Sequence, residues 1–279
     1  MANLINLKGE HYFPFQPEIQ SSTESYQELK PTDCSFAQDI ALFYQFKTNK
    51  DLLTSLSLIP DGCFDILFCC SPKNPSAFLW TSPFQRRKQP NFQNNCEYFG
   101  VRFFPEQGSI KLNYSMRELL DKQIPLLDVM SAHVFFIEEI AAGRSFQERI
   151  ELFKNFIKRT DFVVSQDQKI VDYAVQKIYS ANGMLNIKEL SGHIGYSEQY
   201  IRRKFEEYIG FSPKQFCQIV RFQNSLERLL QSDSSNLLDI IYENGYYDQA
   251  HFIRGFKKMA NLTPKQYREN FGQDLCFLH

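Results

Sequence analysis

Apolar residues recur at helical spacing through the last third of the chain, but cluster in short aromatic runs through the first half. From residue 165 onward the spacing predicts seven helices, at about 167–180, 187–193, 198–208, 213–231, 237–243, 248–259 and 264–270. Ile170, Ala174 and Ile178 recur one turn apart, as do Phe252 and Phe256. The helix starts are well marked. Ser165-Gln166-Asp167-Gln168, Ser212-Pro213-Lys214-Gln215 and Thr263-Pro264-Lys265-Gln266 share the form S/T-x-x-Q, in which the hydroxyl accepts from a backbone N–H and the amide reaches back. Asn186 and Asn236 each stand before a first turn that holds an acid, Glu189 or Asp239. Gly183, Gly195, Gly210 and Gly245 fall between helices, where positive φ is expected.

The earlier runs have another rhythm. Cys63-Phe64-Asp65-Ile66-Leu67-Phe68, Ala77-Phe78-Leu79-Trp80 and Tyr98-Phe99-Gly100-Val101-Arg102-Phe103-Phe104 are short and bounded by Pro, Asn or Gly, which predicts strands. Pro60-Asp61-Gly62 reads as a turn. Nineteen of the 27 phenylalanines precede residue 165, so this half has a heavily aromatic core or pocket. Between the halves, about 129–160, lie two amphipathic stretches split near Ala142-Gly143. In the second, Phe146, Ile150, Phe153 and Ile157 share a face that would pack on the β-rich part or on a second subunit.

Composition narrows the classes. A chain of 279 residues has room for about two domains, and 43% hydrophobic content excludes a disordered chain. Lys8, Glu10 and His11 interrupt any signal-like run, and no uncharged apolar segment reaches the roughly 18 residues of a membrane span. Seven cysteines, without a C-x-x-C pair, suggest a reduced cytoplasmic protein. Net charge is −1, and residues 165–279 carry 14 basic and 13 acidic side chains. Any nucleic-acid contact must therefore come from local placement, as in the clusters Arg202-Arg203-Lys204 and Arg254, Lys257, Lys258.

Those clusters belong to an internal repeat. Residues 195–216 and 245–267 align at a constant offset of 51 from Arg203/Arg254 onward, matching Arg, Phe, Pro, Lys and Gln. Two copies are too few for a solenoid; each reads as a turn feeding an exposed basic helix, a unit that enters a DNA groove. With Ile201 and Phe205 facing inward, Gln199, Arg202 and Arg203 fall on the outer side. With Phe252 and Phe256 inward, Gln249, His251 and Arg254 do. Arg bridges guanine and Gln bridges adenine in the major groove, so these six are the candidate base contacts. Lys188, Ser197, Lys214, Lys257 and Lys265, at helix ends or flanks, are the candidate phosphate contacts, joined by helix N-termini at 198, 213 and 264.

Residues 167–271 resemble the AraC/XylS family of bacterial transcription regulators. The second unit carries the likeness, from Gly245-Tyr246-Tyr247-Asp248-Gln249-Ala250-His251-Phe252-Ile253-Arg254-Gly255-Phe256-Lys257-Lys258 to Thr263-Pro264-Lys265-Gln266-Tyr267-Arg268. Glu189-Leu190-Ser191, Gly210-Phe211-Ser212-Pro213 and Arg221 with Leu229-Leu230 extend it. Asn261 stands where the family usually has Gly, and Ser191 where it has Ala; Asn tolerates the left-handed turn. The resemblance assigns the family's DNA-facing positions to the same six residues. Ile59-Pro60-Asp61-Gly62-Cys63-Phe64-Asp65, Phe99-Gly100-Val101-Arg102-Phe103 and Glu118-Leu119-Leu120 resemble, more loosely, a β-rich sensor domain found ahead of it in some members.

The expected architecture is α+β in two domains. A β-rich sensor domain spans 1–128, a cupin-like barrel being one form of it, and a helical linker spans 129–164. An all-α seven-helix domain with two helix-turn-helix units spans 165–272. The expected function is sequence-specific DNA binding at two adjacent major grooves, with promoter DNA and RNA polymerase as partners. A small-molecule or protein effector would act at the first domain; a homodimer stays open, and no membrane partner is expected. Control by a protein partner alone, or an enzyme fused to a DNA-binding domain, are the alternatives. The chain shows no G-x-x-x-x-G-K-[ST], G-x-S-x-G or H-E-x-x-H, and His11, His133, His193, His251 and His279 lack metal-ligand spacing. No catalytic residue, metal or cofactor is therefore assigned. Cys69-Cys70 reads as a pair of buried thiols, a redox role being the alternative. Asp65 and Arg102 read as a structural pair, with a ligand site as the alternative.

Overall fold

The computed structural model describes residues 12–32, 34–48, 56–89, 92–159, 165–231 and 237–272. The expected cap at Asn236 and the early charges Lys8, Glu10 and His11 lie outside these residues.

One antiparallel sheet organises the first half. A short helix α1 (Pro17–Ser21) precedes β1 (Glu24–Leu29), a single helical turn α2 (Cys34–Ala37) and β2 (Ile40–Lys47). Then come β3 (Leu56–Leu58), β4 (Phe64–Cys69), β5 (Ser76–Thr81), β6 (Arg87–Gln89) and β7 (Glu97–Phe103). The helical turn α3 (Met116–Leu119) leads to β8 (Gln123–Pro125). The large sheet runs β1-β2-β7-β4-β5-β8, and β3 pairs with β6 as a separate ribbon. Among the described residues no pairing joins β1 to β8, so this sheet is open rather than closed into a barrel.

Side chains alternate between the faces, and both faces are covered, which is why the strands are apolar along their length. Phe43, Phe64, Ile66, Phe68, Phe99 and Val101 point to one side. After the turn α4 (Leu126–Val129), α5 (Val134–Ala142) and α6 (Phe146–Lys158) bring Phe136, Ile140, Ile150 and Phe153 onto that side. The amphipathic stretch therefore packs on the chain's own sheet. Leu42, Tyr44, Phe46, Leu67 and Trp80 face the other way, against Leu56 and Leu58 of the ribbon and Ile19 of α1. Burying each large apolar side chain is worth about 1.5–3 kcal/mol, so this double-sided packing is the main stabiliser of the sheet.

Two motifs of the first half have structural causes. Gly100 has no side chain because the Tyr44 ring lies directly on its backbone. That ring also sits 5.6 Å from the Arg102 guanidinium. Arg102 donates to Asp65 through Nε at 2.8 Å and Nη2 at 3.1 Å, forming the expected structural pair. Burial pushes the Asp65 carboxyl up from the ordinary range, while Arg102 beside it pulls down.

The last third holds α7 (Gln166–Ser180), α8 (Ile187–Ile194), α9 (Glu198–Ile209), α10 (Pro213–Gln231), α11 (Leu237–Glu243), α12 (Gln249–Ala260) and α13 (Pro264–Phe271). These match the seven expected helices to within a residue or two. Asn186 Oδ1 accepts from Lys188 N at 2.9 Å, and the reciprocal boxes form at Ser212/Gln215 and Thr263/Gln266. At Ser165 the box is half made. Its hydroxyl accepts from Gln168 N at 3.1 Å, but the Gln168 amide donates to Gln107 O at 2.9 Å instead of reaching back. The four glycines between helices have positive φ, and Asn261 takes the left-handed turn at φ 56°. Among the described residues no helix is long and apolar enough to cross a membrane.

The helical core does not end at the helices. Around Phe205, Phe216, Phe222, Phe252 and Phe256 it also takes in Tyr12, Ile59 and Leu120 from the β-rich half.

Candidate nucleic-acid interface

Each helix-turn-helix unit is built by the expected division of labour. Helix α8 precedes α9, and α11 precedes α12, with the second helix of each pair packed on α10 through an apolar stripe. Ile201 and Phe205 of α9, and Phe252 and Phe256 of α12, are at most 1% exposed. With the stripes fixed inward, Gln199, Arg202 and Arg203 on α9 and Gln249 and Arg254 on α12 are exposed. Lys188, Ser197, Lys214, Lys257 and Lys265 are exposed as well. Ser197 caps α9, its hydroxyl oxygen accepting from Tyr200 N at 3.2 Å, which leaves its O–H free to donate outward.

The polar partners differ from a simple basic cluster. Lys204 is turned away from Arg202 and Arg203, held 2.8 Å from Asp167 of α7 and 2.9 Å from Glu207. The cause is helical geometry: position 204 lies between the buried stripe and α7. Those two carboxylates push the Lys204 ammonium up. Arg203 rests over the Tyr200 ring at 5.4 Å, and Tyr200 donates to Asp167 at 2.6 Å. Arg202 donates through Nε to Glu206 at 2.8 Å. On α12, His251 is only half exposed. Its Nδ1 accepts from Tyr247 N at 3.3 Å and its ring packs edge-on to Tyr246.

One residue of this surface, Arg117, escaped the sequence reading. Arg117 of α3 reaches Glu206 at 3.6 Å and lines one groove with Ser197, Gln199, Arg202 and Arg203. It comes from the β-rich half, and no local pattern connects it to α9. Arg221 of α10 donates to Gly245 O at 3.3 Å and sits 5.5 Å over Tyr246, bracing the turn of the second unit. Its place in the family resemblance had already marked it.

The β-rich half grips the three helices that set the geometry of this surface. At α9, the side chain of Leu120 fills the space a Cβ on Gly210 would take, with its nearest atom 2.5 Å from that point. At α10, Gln223 accepts from Phe15 N at 2.9 Å and donates to Pro60 O at 2.7 Å. The Phe216 ring lies against Gly62, whose own N–H donates to Ser82 Oγ at 2.9 Å. At α12, Arg86 N donates to Met259 O at 2.6 Å and the Asn261 amide to Arg86 O at 2.9 Å. The residue that departs from the family's glycine thus serves as a docking group. Behind these contacts, Tyr12 stacks on Tyr179 at 4.5 Å, and Tyr179 donates to Glu106 at 3.2 Å. Burial pushes both phenols up, so both remain protonated donors.

The adjacent cysteines separate. Cys69 joins the Trp80 side of the sheet and Cys70 the Phe68 side, as alternation requires. Cys69 instead meets Cys96, sulfur to sulfur at 3.2 Å.

Comparison with known proteins gives separate matches in the two halves of the chain. The helix-turn-helix domain family matches residues 190–270, and a family described as a domain of unknown function (DUF6597) matches residues 27–125. An uncharacterized HTH-type transcriptional regulator of Staphylococcus aureus is 36% identical over 84 residues, 30% of this chain and 11% of that protein. One from Haemophilus influenzae is 31% identical over 117 residues, 42% of this chain and 39% of that protein. Among solved structures, the C-terminal domain of AraT, a response regulator from Geobacillus stearothermophilus, is 26% identical with a TM-score of 0.35. It covers 38% of this chain and 88% of that one. The matches thus span about a tenth of the length of the staphylococcal relative and about two fifths of the other.

Proposed function

Through its C-terminal helix-turn-helix domain the chain belongs to the AraC/XylS family of transcription regulators, and we propose that it binds a specific promoter site by inserting α9 and α12 into successive major grooves. One observation carries this reading: both helices bury their apolar stripes on α10 and leave their Gln and Arg side chains to solvent. The 19 residues of α10 span roughly 28 Å, close to the ~34 Å between successive grooves on one DNA face. Modest bending of the DNA closes the difference. Gln199, Arg202, Arg203, Gln249, His251 and Arg254 read base edges, and Lys188, Ser197, Lys214, Lys257 and Lys265 hold phosphates. Because the readers and α10 are all docked on the β-rich half, a ligand or protein that favours one arrangement of these contacts biases the readers. RNA polymerase is the partner such a regulator meets at a promoter.

Fluorescence-anisotropy titrations on a selected site test this. Arg254→Ala should cost about 1–3 kcal/mol of specific affinity and relax base preference locally. Lys257→Ala should weaken every sequence alike and shallow the salt slope by about one. Unchanged affinity and preference in Arg254→Ala would refute the assigned face.

A further inference from the structure

Two sulfurs meet at one end of the large sheet. Cys69 closes β4, and Cys96 stands just before β7, the antiparallel strand beside it. Both backbones are held: Cys70 N donates to Glu97 O at 2.8 Å and Cys96 N to Thr48 Oγ1 at 2.9 Å. The two sulfurs lie 3.2 Å apart, so a disulfide of about 2.05 Å needs a closure of only roughly 1 Å. Cys70, next in sequence, points to the opposite face and takes no part.

The two thiols are not equivalent. Cys96 donates to the Cys69 sulfur, which also accepts from the Tyr98 hydroxyl, and these bonds bring the Cys69 thiol down to about 6 against its burial. Cys96, the donor, is pushed up and keeps its proton. Burial drives the other described cysteines the opposite way from Cys69: Cys63 well up, Cys70 to about 12 and Cys217 to about 11. A thiolate beside a protonated thiol is the arrangement of an attacking and a resolving sulfur. Cys69 is 1% and Cys96 7% exposed, yet each stands within three residues of an exposed loop, at Pro72-Lys73-Asn74 and Gln93-Asn94-Asn95. A small oxidant suits such a pair.

We propose that Cys69 and Cys96 form a site of oxidative modification, closed to a disulfide by hydrogen peroxide, and that the folded sheet accepts the bond. The Cys69 thiolate attacks one peroxide oxygen, the O–O bond breaks, hydroxide departs, and Cys69 becomes a sulfenic acid. The Cys96 sulfur then attacks the Cys69 sulfur. The S–O bond breaks, and the Cys96 proton leaves with that oxygen as water. Two thiols are oxidised to one disulfide while the peroxide is reduced to two waters. The site stands independently of the DNA-binding reading.

Mass spectrometry of the full chain tests it. Reduced protein, freed of reductant and given stoichiometric hydrogen peroxide, should lose two hydrogens in mass. Fragmentation of the unreduced digest should place the bond between Cys69 and Cys96, and dithiothreitol should reverse it. Cys70→Ala should keep the bond. Cys96→Ala should stop at a Cys69 sulfenic acid that dimedone traps. No bond in the native chain, a bond that uses Cys70, or dimedone labelling elsewhere in Cys96→Ala would overturn the proposal. The bond also closes the segment 69–96 in the unfolded chain, so the oxidised protein should need more urea than the reduced one to unfold. An equal or lower requirement would refute a sheet that accepts the bond.

Discussion

Gly62→Ala probes the docking of the β-rich half on α10 at its tightest point. Gly62 has φ +76°, and a Cβ there would lie 2.5 Å from Phe216 Cε2. Two costs follow. A left-handed backbone costs a non-glycine residue about 1–2 kcal/mol. Ordinary carbon contacts need about 3.5–4.0 Å, so the ring or the helix must retreat by roughly 1 Å, an overpacking cost of about 1–3 kcal/mol. The sum is roughly 2–5 kcal/mol. In a Phe216→Leu background the ring edge is gone and only the backbone cost of about 1–2 kcal/mol should remain. Urea denaturation followed by Trp80 fluorescence and far-ultraviolet circular dichroism measures both changes. Trp80, the chain's one tryptophan, is buried in the sheet and reports on the β-rich half, while the dichroism reports on the helices. The double-mutant cycle should return a coupling of about 1–3 kcal/mol. Equal losses in the two backgrounds would refute the contact, and with it the docking of α10 at this loop.

Two further outcomes are expected. Glu206→Gln removes the carboxylate that holds Arg202 and Arg117, so the salt slope of DNA binding should steepen by about one as Arg117 is released to phosphate; an unchanged slope would show that Arg117 does not reach phosphate. Hydrogen bonding from Cys96 brings the Cys69 thiol down to about 6, so ultraviolet titration should show one thiolate forming well below the ordinary cysteine range of about 8.5. The folded-state value is the lowered one, so its stabilising contribution is complete above that ordinary range and is lost as pH falls through about 6. Cys96→Ala should move the step upward; an unmoved step would refute the assignment.

The helices were legible because their information is local. Caps at Ser165, Ser212 and Thr263, and apolar stripes such as Phe252/Phe256, fix ends and faces within one or two turns. Strands β4, β5 and β7 were legible for the same reason, while β1, β2, β3, β6 and β8 were not singled out. Pairing was not legible: β7 lies between β2 and β4, an order that no single run encodes. The outward arginines followed from inward phenylalanines, but their partners did not. Lys204 points to Asp167, and Arg202 to a carboxylate shared with Arg117, because tertiary packing decides which neighbour is near. Least legible was the docking of the two halves. Gln223 and Pro60 are 163 positions apart, and only the folded chain gives Pro60-Asp61-Gly62 its role as the seat of Phe216.

Selection of binding sites from random duplex DNA by the full chain tests the central claim most directly. The account predicts an asymmetric site with two elements about one helical turn, roughly 10 bp, apart. Arg203→Ala should relax preference in one element and Arg254→Ala in the other. A single element, or relaxation of the same positions by both substitutions, would contradict two readers held in successive grooves by α10.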